Sequence, residues 1–211
     1  SNDSVLAVTS PATSDWSQKN ARAETSVGSD ASPSAATSTS ACCSLTALVR
    51  SSGSLEARTG LEVIQGDVLD PSVLEKASRG MDAIVSCLGI RKENPSDPWS
   101  ALLSPEDFTE RCAIGIVAAM KANGIRRVVA ISSAGVGDSW DTVDPELRDV
   151  IQSSSVGKIF QDLGNMEQVL EHSGLDTLAV RPVALVTGDA GGTTHLVDRF
   201  EKTSRITTGD V

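Results

Sequence analysis

Ala83-Ile84-Val85-Ser86-Cys87-Leu88-Gly89 is an apolar run of strand length that closes on a small residue. The same texture recurs on either side of it, at Thr46-Ala47-Leu48-Val49-Arg50, Glu62-Val63-Ile64-Gln65-Gly66-Asp67, Val128-Val129-Ala130-Ile131-Ser132-Ser133 and Leu178-Ala179-Val180-Arg181-Pro182. Runs that are apolar throughout, rather than alternating, belong to strands buried on both faces. Helical patterns separate them, so the chain predicts an α/β fold: a parallel sheet with crossover helices and a ligand at the carboxyl ends of the strands. The small, polar and charged residues fall at those ends.

Composition narrows the function classes. The formal charge is −10, and Lys and Arg are scattered, so the basic stripe of a nucleic-acid binder is missing. The chain contains no tyrosine, which removes the usual proton donor of one large class of nicotinamide enzymes. Of the 4 cysteines, Cys42 and Cys43 are adjacent, while Cys87 and Cys112 sit in apolar runs. Neither a C-x-x-C pair nor a disulfide framework emerges, which fits a reducing, cytoplasmic compartment. No apolar run approaches the roughly 18 residues of a membrane span, and the first residues lack a signal-peptide pattern.

Residues 1–44 are mostly Ser, Thr and Ala, and they offer too little apolar surface to offset the entropy of ordering. This segment is expected to be disordered, except that Val5-Leu6-Ala7-Val8 has the makings of a short strand. Residues 45–211 form the expected domain. Pro71 to Ser78 reads as a helix with Asp70 as its N-cap. Ser104 caps a longer one that starts at Pro105 and ends at Asn123-Gly124. Its stripe of Phe108, Cys112, Ile116 and Met120 is packing, and Gly115 lets it approach the sheet. A further helix runs from Lys158 to His172, followed at once by a strand from Thr177 to Arg181.

Several strand ends carry candidate chemistry, each with a plainer alternative. Arg50 stands where an arginine would pair with the 2′-phosphate of NADP, or it is a solvated residue at a strand end. Asp67 and Val68 suit an adenine ring, or a turn approaching a helix. Gly89, after Leu88, allows close approach of a ribose or diphosphate, or serves only the turn. Ser132 and Ser133 are placed to hold a cofactor amide or a substrate carbonyl, although Ser-Ser-Ala-Gly is also ordinary turn chemistry. Lys158, Glu167 and His172 read as solvated helix residues, and His195 has no metal partner in view.

In this order the segments resemble the atypical short-chain dehydrogenase/reductase superfamily, in particular its NmrA-like group with flavin reductase/biliverdin reductase B. The matching stretches are Leu45 to Arg50, Gly66-Asp67-Val68-Leu69-Asp70, Cys87-Leu88-Gly89-Ile90-Arg91, Val117 to Gly124, Val128 to Ala134, and Met166 to Pro182. The resemblance implies a Rossmann-like, doubly wound sheet. It also implies NADPH at the strand ends and hydride transfer to a small planar acceptor such as a flavin, quinone or tetrapyrrole. By matching segment, Arg50 reads the 2′-phosphate, Asp67 and Val68 the adenine, and Cys87, Leu88 and Gly89 the ribose and diphosphate. Ser132, Ser133, Pro182 and Val183 face the nicotinamide, with the two serines as the catalytic candidates.

Two departures stand out. The family's first strand and its glycine-rich turn are missing or replaced, since Gly28 is the sole glycine before Arg50. Val5 to Val8 is a candidate for the vacant central position, but Thr9-Ser10-Pro11-Ala12 makes a poor phosphate turn. At the other end, Arg205 to Val211 reads as the approach to a further helix, with part of a substrate-side lid beyond it. The first departure also admits a non-catalytic module that senses NAD(P) or binds protein, or a defective family relic.

Overall fold

The computed structural model describes residues 5–10, 44–51, 55 and 59–211. Six strands form the main sheet: β1 (Val5–Ser10), β2 (Ser44–Val49), β3 (Leu61–Gln65), β4 (Ala83–Cys87), β5 (Arg127–Ile131) and β6 (Asp176–Val180), in the order β3-β2-β1-β4-β5-β6. This is the doubly wound order, with β1 in the central slot. The strand expected at Val5 to Val8 therefore exists and lies between β2 and β4. The expected disorder of residues 11–43 lies outside the described residues.

The sheet is not parallel throughout. β2 runs parallel to β3, and β4 to β5 and β6, but β1 is antiparallel to both of its neighbours. Val5 pairs with Cys87 at the carboxyl edge, and Ser10 pairs with Ser44 at the opposite edge. The reversed direction overtakes the question of whether Thr9-Ser10-Pro11-Ala12 could hold a phosphate, because Ser10 is carried to the edge away from the ligand side. Leu6 is buried in the slot and joins Leu48 and Ile84 in the core.

Helix α1 (Pro71–Ala77) begins as its sequence predicts, with Asp70 Oδ1 accepting from Ser72 N at 2.9 Å. Helix α2 (Phe108–Asn123) also ends as predicted, on Gly124 with φ 73°. Its start differs. The helix opens at Phe108, and Ser104 Oγ instead accepts from Arg91 N at 3.1 Å. Cys112, Ile116 and Met120 are buried as the stripe requires. Gly115, however, makes room for α1 rather than for the sheet, since a Cβ there would lie 2.8 Å from Leu74 Cδ1.

Beyond β5 a short 3-10 helix (Gly137–Thr142) leads to α3 (Pro145–Ser153) and α4 (Val156–Glu171). Val143, Ile151 and Phe200 form a second, smaller core there. The C-terminal segment does not lead into a helix. Residues Arg205–Thr207 form β8, which pairs in parallel with β7 (Ala184–Val186). A three-residue pairing satisfies those backbone groups without a helix. No helix among the described residues is long and apolar enough to cross a membrane.

Burial pushes the Cys112 thiol up from 9.0 to about 12, helped by the negative charges of Asp162 and Asp67. The fold thus favours the neutral thiol, and the unfolded chain releases its proton first. Stability should fall as pH rises from about 9 toward 12. Cys112→Ala should flatten that part of the profile in chemical denaturation between pH 8 and 11; an unchanged slope would place its origin elsewhere.

Candidate functional site

The carboxyl ends of β2, β3 and β4 open into a cleft of about 180 Å³. Arg50, Gly66, Asp67, Val68, Leu88 and Gly89 line it, and these are residues the sequence marks as cofactor candidates or their neighbours. The facing wall comes from Arg91 and from Ser104, Pro105 and Phe108 at the entry to α2. Phe108, read from the sequence as packing, therefore also borders the cleft. Two arginines converge here in a chain whose net charge is −10. With Asp67 counted, the charged lining residues leave one net positive charge in an acidic protein, which suits an anionic group.

The glycines of the cleft differ in what they do. At Gly66 a Cβ would fall 2.6 Å from Val73 Cγ1, so this glycine lets α1 pack against the end of β3. That agrees with the helix-approach reading. Gly89 has no such reason among the described residues: an added Cβ would meet none of their atoms within 4 Å, and its φ is not among the positive ones. Neither packing nor turn geometry demands a glycine at 89. The space in front of it belongs to the cleft. Asp67, by contrast, is partly engaged locally, its Oδ1 accepting from Leu69 N at 2.9 Å. Asp67 nevertheless lines the cleft, and an ionised carboxylate has further acceptor positions beyond that one bond.

A second group forms where β5 and β6 end. Ser132 N donates to Val180 O at 2.7 Å and Ala134 N to Pro182 O at 2.9 Å, so the two strands stay joined past their nominal ends. Ser132 is buried, and its hydroxyl meets no hydrogen-bond partner among the described residues. An unmet buried polar group costs free energy until a partner meets it. Ser133 Oγ instead donates to Ala134 O at 3.2 Å. Pro182 is buried, and Val183 packs on the second core. None of these residues lines the cleft, and Cys87, exposed beside Val5, does not line it either.

The loop after β5 is held rigidly. Gly135, at φ 89°, lies so close to Val143 that a Cβ would sit 2.5 Å from its Cγ2, and Gly135 N donates to Ser139 Oγ. Arg181 anchors the far side: Nε donates to Glu167 Oε1 at 3.0 Å, Nη2 to Glu167 Oε2, and Nη1 to Asp138 on the 3-10 helix. The Glu167 bonds above all keep the guanidinium firmly charged. Glu167 is thus no solvated helix residue; its side chain is 13% exposed. Lys158 pairs with Glu106 at the surface, and His172 is exposed, as their plainer readings hold. No group of three metal-ligating side chains occurs among the described residues.

Sequence reading missed Arg91 as a cleft residue, although it stands in the Leu88-Gly89-Ile90-Arg91 segment. The signal was its distance from a strand end, two residues beyond Gly89, combined with its charge. It also missed the Arg181 and Glu167 pair, which joins different elements and leaves no local pattern.

Comparison with known proteins agrees with the geometry. Residues 23–211 match the model of the NAD(P)H-binding family, a span that begins after β1. The solved structure of ChuY, an anaerobilin reductase from Escherichia coli O157:H7, has a TM-score of 0.54 at 23% identity, covering 72% of this chain and 65% of that one. The oxidoreductase ylbE from Lactococcus lactis gives 0.59 at 17% identity, covering 78% and 68%. A short-chain dehydrogenase/reductase from Veillonella parvula, solved with NADP, gives 0.51 at 16%, covering 72% and 62%. The chain therefore spans less than two thirds of the length of two of these structures, and at such identities the likeness is one of fold.

Glu167→Ala should cost about 1–3 kcal/mol by leaving a half-buried arginine short of its bidentate partner. Asp138 is 88% exposed and its bond is screened by solvent, so Asp138→Ala should cost clearly less than Glu167→Ala. Denaturant titration of both variants checks the difference; equal losses would contradict this division of roles.

Proposed function

The chain belongs to the NAD(P)H-binding family, and from that premise we propose that it is an NADPH-dependent reductase of a small planar acceptor, with the adenosine half of the cofactor in the cleft. Gly89 carries this reading. It lines the cleft, no described residue's packing requires a glycine there, and it stands where a ribose or diphosphate needs close approach. Arg50 would meet the 2′-phosphate, Asp67 and Val68 the adenine, and Leu88 and Gly89 the ribose. Ser132, Ser133, Pro182 and Val183 would face the nicotinamide, with the unpartnered Ser132 hydroxyl as the group left to bond it.

The cofactor supplies a hydride when bound, and solvent or the acceptor supplies the proton, which suits a chain without tyrosine. The protein's part is then to orient and to exclude water. A planar flavin, quinone or tetrapyrrole is the acceptor class, and one of the structural neighbours is an anaerobilin reductase. Because β1 runs in reverse, no glycine-rich turn opens at the carboxyl edge among the described residues. Arg91, on the wall opposite Gly66, takes up that deficit as a side-chain cation in place of backbone amides.

A second reading, an NAD(P)-sensing or protein-interaction module, rests on the same missing turn and shares the adenosine site. Titration with NADPH and NADH by calorimetry tests both. NADPH should bind in the micromolar range and more tightly than NADH. Arg50→Ala should weaken it about tenfold or more, the loss of a charge-assisted pair of roughly 1.5–3 kcal/mol. Gly89→Val should also weaken binding while leaving the thermal midpoint unchanged. Failure of either nucleotide to bind at millimolar concentration would overturn the reductase reading. Binding without turnover of any flavin, quinone or tetrapyrrole would favour the sensing module.

A further inference from the structure

Helix α2 begins without a cap of its own. Asp107 occupies the N-cap position but makes no side-chain capping bond, pairing instead with Arg111 one turn on, so the first amides have no acceptor from the cap residue. The acceptor comes from α4. Asp162 Oδ2 accepts from Thr109 N at 2.8 Å and from Thr109 Oγ1 at 2.6 Å, and its Oδ1 accepts from Glu110 N at 3.0 Å. Asp162 is 2% exposed and forms no salt bridge with a described cation, so these bonds and the positive end of the helix dipole are what sustain a buried carboxylate.

The neighbours on the same face of α4 grip the same segment. Lys158 pairs with Glu106, and Asn165 Nδ2 donates to Glu110 Oε2 at 2.9 Å. Residues 158, 162 and 165 are one helical turn apart, so they form a row against residues 106–110. Ser104 and Pro105, just ahead of that grip, and Phe108 within it belong to the cleft wall. Ser104 passes the constraint on, because its Oγ accepts from Arg91 N within the same wall. None of the α4 residues lines the cleft itself.

We infer that Asp162 is a positioning residue for the nucleotide cleft, setting the place of the wall at Ser104 to Phe108 and of Arg91 by capping α2 from outside. The inference rests on the cofactor reading for its consequence in binding, but not for its consequence in the wall. Removing the cap by Asp162→Asn replaces one acceptor oxygen with a donor facing amides. The start of α2 then loosens, and Arg91 and the wall no longer hold one position.

The test compares Asp162→Asn with Met166→Ala. Met166 is a buried core residue one turn further along the same helix, and its truncation lowers stability while leaving the three Asp162 bonds to the start of α2 in place. Thr109→Val, which removes one of the three bonds and keeps both amides, serves if Asp162→Asn does not fold. Two readouts are taken. Hydrogen exchange of the nucleotide-free protein should show lost protection at Ser104 and at 106–110 in Asp162→Asn, and the same loss at smaller amplitude in Thr109→Val. Met166→Ala should leave those amides as protected as its stability allows. NADPH titration should show Kd raised about tenfold in Asp162→Asn and within about twofold of the unsubstituted chain in Met166→Ala. Equal exchange at 104–110 in the Asp162 and Met166 variants would overturn the inference, as would unequal exchange with equal Kd. If the unsubstituted chain binds no NADPH, the cofactor reading falls alone, and the exchange comparison still decides the role of Asp162.

Discussion

The structure depends on filling the gap between β2 and β4. Two parallel strands that each end at the ligand edge would, without a strand between them, expose two rows of unpaired backbone groups in the middle of the sheet. β1 closes the gap, burying Leu6 against Leu48 and Ile84. It does so in reverse, and the direction has a consequence at the site. A strand that runs toward the amino edge delivers no turn to the carboxyl edge, so the place where this fold usually cradles a diphosphate with backbone amides is instead bordered by side chains. Arg50 and Arg91 stand around it in an otherwise acidic chain.

The reversal also orders the two halves of the sheet by how they are secured. On the β2–β3 side, the cleft is shaped by close helix approach at Gly66 and by the Asp67 turn. On the β5–β6 side, backbone bonds from Ser132 and Ala134 and the Arg181 pairings fix the loop that carries the buried Ser132 hydroxyl. Between them, the α2 entry is held from α4 through Asp162. Three separate devices therefore set three walls, and two of them involve ionised groups buried or half-buried with satisfied partners.

How far the sequence revealed this varies with the range of the interactions. Helix α1 was legible because Asp70 and Pro71 cap and start it from adjacent positions, and the end of α2 because Gly124 takes the left-handed conformation. The start of α2 was not, since its cap lies 53 residues away and Ser104, the local candidate, serves Arg91. The presence of β1 was legible in Val5-Leu6-Ala7-Val8, but its direction was not: a short run apolar throughout reads alike both ways, and strand pairing accepts either. The candidate residues at the ends of β2, β3 and β4 do share a cleft, except Cys87, whereas Ser132, Ser133, Pro182 and Val183 form a group apart from it. Gly66 and Gly89 look equivalent as letters. Only the neighbours of each separate a packing glycine from one that leaves space for a ligand.

The central claim is that an adenosine moiety bearing a 2′-phosphate anchors in the cleft between Arg50, Asp67 and Gly89. Its most direct test is hydrogen exchange of the chain with and without adenosine 2′,5′-bisphosphate, a fragment that lacks the nicotinamide. The account predicts binding of this fragment and slower exchange confined to residues 66–69 and 88–91. Saturating fragment with no protection there, or with protection only around Ser132 to Val136, would contradict it.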